Sequence, residues 1–130
     1  MPFVRISLPR QFSSKEKTAI SGSVHKSLME TFNVPESDYF HVIEELAPNQ
    51  QIYPKTYLGI DHTSNIVFIQ IIAATGRTVE QKKNLYAKIA DYIPQVSQVK
   101  KEDIIIVLIE NGGKENWSFG NGEIQELKHV

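Results

Sequence analysis

A proline stands second in this chain, ahead of a short alternating segment, Met1-Pro2-Phe3-Val4-Arg5-Ile6-Ser7-Leu8. A small second residue favours removal of the initiator Met1, which leaves Pro2 with a free secondary amine on a rigid ring. Such an amine is both a base and a nucleophile. A free α-amine titrates near 7.7–8.0; burial beside cations lowers that toward neutrality, where the group takes and returns a proton at working pH. With Met1 retained, the same nitrogen is an amide without a basic lone pair, and Pro2 is then only a residue at the head of a strand.

Three further groups of residues have types and spacings that suit chemistry. In Gly76-Arg77-Thr78-Val79-Glu80-Gln81-Lys82, an arginine falls at a turn into a helix. A guanidinium fork beside unpaired helix N–H groups forms a carboxylate-binding corner; taken alone, the same residues also read as a turn glycine, a solvated arginine and a threonine cap. Asp38, followed by Tyr39 and His41, can orient a water or a proton, or close the turn after Pro35. Asn116-Trp117-Ser118-Phe119-Gly120-Asn121-Gly122 sets two aromatics in a glycine-containing loop. They can wall a pocket against water, pack against a neighbouring subunit, or do both. Lys114-Glu115 reads as solvated charge. His41 reads as a half-exposed strand residue rather than a base, and His25, His62 and His129 lack metal-ligand spacing, so no metal is expected.

The elements that must position these residues follow a repeated pattern. Residues 3–8 alternate as a strand. Ser13 and Ser14 can cap a helix whose apolar stripe runs Ala19, Ile20, Val24, Leu28 and Phe32. Asn33-Val34-Pro35 stops it, and residues 38–46 read as a second strand. The order then recurs: an apolar strand over 66–74, a helix from Val79 to about Tyr92 capped by Thr78, and a strand over 104–109. Ser37-Asp38 in the first half matches Glu102-Asp103 in the second at about 65 residues, half the chain, as in a tandem duplication. The expectation is one α/β (α+β) domain over 1–130: two tandem β-α-β units, about 2–46 and 66–111, with a C-terminal segment 112–130. Together they form one four-stranded, mostly parallel sheet with two helices on one face. Residues 51–53 and 55–60 are the expected arms of a hairpin between the halves. The bare sheet face, with its apolar central strands, argues for an oligomer.

Composition narrows the function. A net charge of -1 gives no general attraction to nucleic acid or an anionic membrane. The absence of cysteine excludes disulfides and thiol catalysis. No signal-peptide core and no apolar run near the ~20 residues of a membrane span occur, so the expected compartment is the cytoplasm.

Pro2, the β-α-β repeat and the Gly76–Lys82 motif together resemble the tautomerase superfamily; the motif is similar to the strand-to-helix turn of 4-oxalocrotonate tautomerase. Val34-Pro35-x-x-Asp38, Glu110-Asn111 and Trp117-Ser118-Phe119-Gly120 resemble the malonate semialdehyde decarboxylase group within it. The resemblance implies a MIF-like fold and a homotrimer, with Pro2 as catalytic base or acid. It further implies Arg77 on the substrate carboxylate, Asp38 tied to water activation, and Trp117, Phe119 and Leu127 on a hydrophobic wall. The decarboxylases carry a second arginine where this chain has Thr75. Its loss shifts the expectation from decarboxylation toward cofactor-independent keto–enol transfer on a phenylpyruvate-like 2-oxo acid. The alternatives are decarboxylation, hydration or dehalogenation of small three-carbon acids, and a non-catalytic trimer that binds a protein.

Overall fold

In a computed structural model, residues 1–125 are described. The main elements are β1 (Phe3–Pro9), α1 (Ser14–Phe32), β2 (His41–Leu46), β3 (Thr56–Tyr57), β4 (Ile60–Asp61), β5 (Val67–Ala73), α2 (Val79–Val96) and β6 (Ile104–Glu110). Four strands form one sheet in the order β2-β1-β5-β6. β1 runs parallel to β2 and β5 parallel to β6, while the two halves meet antiparallel along β1 and β5. The two β-α-β units therefore face each other across a pseudo-twofold seam.

Alternation decides which side chains reach the core. Val4, Ile6 and Leu8 of β1, and Val67, Ile69, Ile71 and Ala73 of β5, are buried on the helix side. They meet Ile20, Val24 and Leu28 of α1 and Leu85, Ile89 and Ile93 of α2 in one cluster. Ser27 and Thr31, also buried, direct their hydroxyls to carbonyls one turn back at 2.8 Å, so their burial leaves no donor unmet. Phe3, Phe68, Ile72 and Val107 occupy the opposite, uncovered face, where Val107 is 51% exposed.

Both helices start as the sequence indicates. Ser13 and Glu16 form a reciprocal capping box on α1, and Thr78 and Gln81 form one on α2. Three boundaries differ from expectation. β2 begins at His41 rather than at residue 38, because the Asp38 N–H turns back to the Pro35 carbonyl at 3.0 Å. α2 continues through Pro94 to Val96: Ile93 is fully buried, and the side chains of Gln95 and Ser97 bond the Asp91 and Ile93 carbonyls. The hairpin closes within its expected second arm, with Thr56 opposite Asp61 around Leu58-Gly59, both at positive φ. Gln51 instead donates to the Ser7 carbonyl at 3.2 Å.

The edge strand β2 packs on α1 through a histidine pair. His41 Nδ1 lies 2.8 Å from Ser21 Oγ, and its ring centre is 6.2 Å from that of His25. His41 Nε2 and His25 Nδ1 are buried without hydrogen-bond partners. Burial, with a smaller contribution from His25, pushes the His41 imidazole down to about 4. An unfolded histidine takes its proton near 6.5. The stability from neutral His41 is thus complete above about pH 6.5 and is lost as pH falls toward 4. Melting temperatures between pH 7 and 4 should show a shallower acid decline for His41→Gln than for the wild type; parallel declines would contradict this assignment.

Candidate active site

The sheet register gathers the candidate residues at one end. Continued beyond the strand ends, the β1–β2 register sets Met1 beside Asp38, and the antiparallel seam sets Pro2 opposite Ala73 and Met1 opposite Ala74. The β5–β6 register sets Ala74 beside Asn111. Asp38, Met1, Ala74 and Asn111 thus form a row across the sheet where β1 and β2 begin and β5 and β6 end. A proline fits this place because the first residue of a strand can forgo its ladder N–H.

Charge is concentrated at the middle of that row. The Met1 ammonium lies 3.1 Å from Asp38 Oδ2, and both residues are at least nine-tenths buried. From standard bond lengths the Pro2 nitrogen lies no more than about 7 Å from the same carboxylate. Pro2 itself is buried. Arg77 is close enough to Asp38 for its guanidinium to feel the carboxylate: burial pushes the arginine below its ordinary value, and Asp38 pulls it back up.

Arg77 also holds two elements together. Nη1 donates to the Ala74 carbonyl at 3.2 Å and Nη2 to the Phe32 carbonyl at 3.1 Å, while the fork lies 4.9 Å from the centre of the Phe32 ring. Gln81 adds a bond to the Thr31 carbonyl at 3.0 Å. These carbonyls end α1, where no further helical N–H can reach them and a cation suits the negative end of the helix. The cap and binding-corner readings of this motif are therefore compatible: two of five guanidinium N–H donors are used structurally.

Two cavities adjoin the row. One, of about 240 Å³, is lined by Met1, Ala74, Thr75, Asn111, Gly112, Gly113 and Lys114. The other, of about 510 Å³, is lined by Phe3, Phe40, Ile72, Asn111, Asn116, Trp117, Ser118 and Phe119. Trp117 and Phe119 stack at 5.5 Å with planes 7° apart, and Phe40 tilts onto Phe119 at 5.1 Å. Trp117 Nε1 donates to the Asn111 carbonyl at 3.1 Å, which ties the aromatic loop to the row.

Pro2, Asp38 and Thr75 accordingly meet at the row, Trp117 and Phe119 wall the adjoining cleft, and Arg77 braces Ala74 without entering the wall of either cavity. Leu127 lies outside the described residues. Phe40 and Asn111 line the cleft without having been chosen from sequence as pocket residues. Phe40 was legible in principle: it lies two residues beyond Asp38, on the stretch whose Phe40 carbonyl accepts from Val4 N–H at 2.9 Å. Asn111, although part of the family motif, gains its place only through the β5–β6 register. Among the described residues, no three His, Asp or Glu side chains converge as a metal site would require.

Comparisons with known proteins identify the family and the fold. Two family profiles, both described as tautomerase enzyme, match residues 38–120 and 2–56. The probable tautomerase YusQ of Bacillus subtilis (strain 168) is 40% identical over 98% of this chain and 100% of its own length. The FG41 malonate semialdehyde decarboxylase inhibited by 3-bromopropiolate superposes with a TM-score of 0.88 at 30% identity, covering 95% of this chain and 92% of the other. A fused 4-OT symmetric trimer shares the fold, with a TM-score of 0.76 at 17% identity and 94% coverage of both chains. The chain belongs to the tautomerase superfamily, and malonate semialdehyde decarboxylases are among its structural neighbours.

The close approach of the two chamber walls is testable. A Cβ on Gly112 would stand 2.7 Å from Thr75 Oγ1, inside any normal contact. Gly112→Ala should lower unfolding stability by about 1–3 kcal/mol through overpacking, and Thr75→Ala should restore much of that loss in the double variant. Chemical unfolding of the four proteins gives the comparison; additive losses would show that the two residues do not press on each other.

Proposed function

We propose that this chain is a cofactor-independent tautomerase that moves a proton between the carbon and oxygen of a phenylpyruvate-like 2-oxo acid and its enol. The observation that supports this most is the buried carboxylate of Asp38 beside the chain's terminal amine, 3.1 Å from the Met1 nitrogen. With Met1 removed, the Pro2 nitrogen becomes the amine in this neighbourhood. Burial and the charge of Arg77 favour its neutral form, whereas Asp38 favours its protonated form. Opposed influences keep a secondary amine within reach of both states near neutral pH, as a one-base proton shuttle needs.

In this reading Pro2 accepts the proton from the enol oxygen and returns it to the adjacent carbon; the reverse direction runs through the same two transfers. The charge of Arg77 attracts the substrate carboxylate from beside Ala74, where two carbonyl bonds hold its fork. The aryl group enters the cleft between Phe40, Trp117 and Phe119. Excluding water there lowers the local dielectric and strengthens the hold on the charged end. The uncovered apolar sheet face suits assembly of three copies, since exposed Val107 and Ile109 would otherwise meet water.

A second reading is supported by the likeness to a malonate semialdehyde decarboxylase. Here Asp38 activates water for hydration or dehalogenation of a three-carbon acid, or protonated Pro2 assists loss of carbon dioxide from a β-keto acid. Thr75 in place of a cation and the size of the aromatic cleft favour the larger 2-oxo acid. A binding role without catalysis would follow from retention of Met1.

Ketonisation of phenylpyruvate enol, followed by ultraviolet absorbance on protein shown by intact mass to lack Met1, tests the main reading. Pro2→Ala is expected to slow the enzyme by about 10²-fold, the ordinary contribution of a positioned acid–base group. Equal rates would remove Pro2 from the mechanism, and turnover confined to three-carbon acids would favour the second reading.

A further inference from the structure

We infer that Lys114 supplies a carboxylate-binding cation in the chamber where Thr75 offers none, and thereby determines the preference of this site for anionic substrates. The inference rests on the reading of the row beside Pro2 as the place where substrate binds.

Lys114 lines the same chamber as Met1, Ala74, Thr75 and Asn111. It follows Gly112 and Gly113, whose backbone turns the chain from β6 back over the row; Gly113 adopts a φ of 80°, which a side chain would strain. It is the one lysine among the lining residues of this chamber. Lys17 pairs with Glu45, Lys82 with Glu110 and Lys88 with Glu30. Among the described residues, Lys114 forms neither an ion pair nor a side-chain hydrogen bond. The nearby acids do not neutralise it. Glu110 is held by Lys82 at 3.0 Å, and the Glu115 carboxylate folds over Gly113, where it would lie 2.8 Å from an added Cβ.

The chamber otherwise lacks a dedicated anion receptor. The Thr75 side chain carries no charge, and its hydroxyl would lie 2.7 Å from a Cβ added at Gly112. Arg77 lies behind Ala74, with its fork partly engaged by the Ala74 and Phe32 carbonyls. A lysine on a flexible four-carbon stem can bring its ammonium to a carboxylate at the chamber mouth without disturbing those bonds. Arg77 then attracts the anion from behind the row and Lys114 meets it directly. The acid class that fits is one with its carboxylate next to the reacting carbonyl and an apolar remainder directed into the aromatic cleft.

Binding of 3-phenylpropionate, an acid with no carbonyl to tautomerise, tests this apart from turnover. Calorimetry on Met1-free protein at low ionic strength should show about tenfold weaker binding for Lys114→Gln, near-normal binding for Lys114→Arg, and recovery in Thr75→Arg/Lys114→Gln. Added salt should weaken the wild type more than Lys114→Gln. With phenylpyruvate enol, KM should rise about tenfold and kcat stay within about twofold. Lys83→Gln, at an exposed position on α2, serves as the charge control. Lys114-dependent binding without ketonisation by the wild type would overturn the tautomerase reading and leave this inference standing. Binding by Lys114→Gln within twofold of the wild type, an equal loss in Lys83→Gln, or no saturable binding to the wild type would overturn it.

Discussion

Phe3 pairs with Ile72 across the antiparallel seam between β1 and β5, and this register determines what the amine meets. It carries the start of β1 alongside the end of β5, so Pro2 faces Ala73, and Thr75 beyond the strand end lines one cavity with Met1. The flanking parallel pairings then add Asp38 on one side and Asn111 on the other. Slipping the seam by one residue would reverse the faces of Val4, Ile6 and Leu8 and expel them from the core. The same packing that buries these side chains therefore fixes the candidate active site, with no separate device to hold the N-terminus in place.

The duplication sets two aspartates in matching places with different partners. Asp38 and Asp103 occupy equivalent places, both buried, each closing a turn through its backbone N–H. In the second half the chain continues past the aspartate's neighbour, and Asp103 accepts bonds from the Thr63 backbone N–H and hydroxyl. In the first half a chain end stands there, and Asp38 faces an ammonium. The position before each helix cap diverges as well: Phe12 is buried in the core, whereas Arg77 clasps the end of α1. A symmetric scaffold thus places a carboxylate, a guanidinium and a terminal amine together on one side of its pseudo-twofold axis.

Features governed by local rules were legible in the sequence. Strand alternation, the Ser13 and Thr78 caps, and the equivalence of Asp38 with Asp103 all depend on short-range spacing, and they position the elements correctly. Boundaries set by tertiary contacts were not. Helix α2 passes Pro94 because Ile93 is buried, and β2 starts late because Asp38 is drawn into a turn. In the site, Pro2, Asp38, Thr75, Trp117 and Phe119 could be selected by chemistry or resemblance. The structural bonds of Arg77 and the presence of Lys114 beside Thr75 could not, because the first depend on how the end of α1 meets the turn before α2 and the second on how the turn after β6 meets the end of β5. A lysine that reads as solvated charge in sequence becomes a chamber wall only in three dimensions.

The central claim is that a free Pro2 amine is the reacting group, and covalent capture tests it most directly. Met1-free protein would be treated with 3-bromopropiolate, an electrophilic acetylenic acid that inhibits the structurally similar FG41 decarboxylase, then digested and mapped by mass spectrometry. The account predicts one adduct on the Pro2 nitrogen, accumulating in step with loss of phenylpyruvate ketonisation. Inactivation with the adduct on another residue, or full activity after Pro2 is modified, would contradict it.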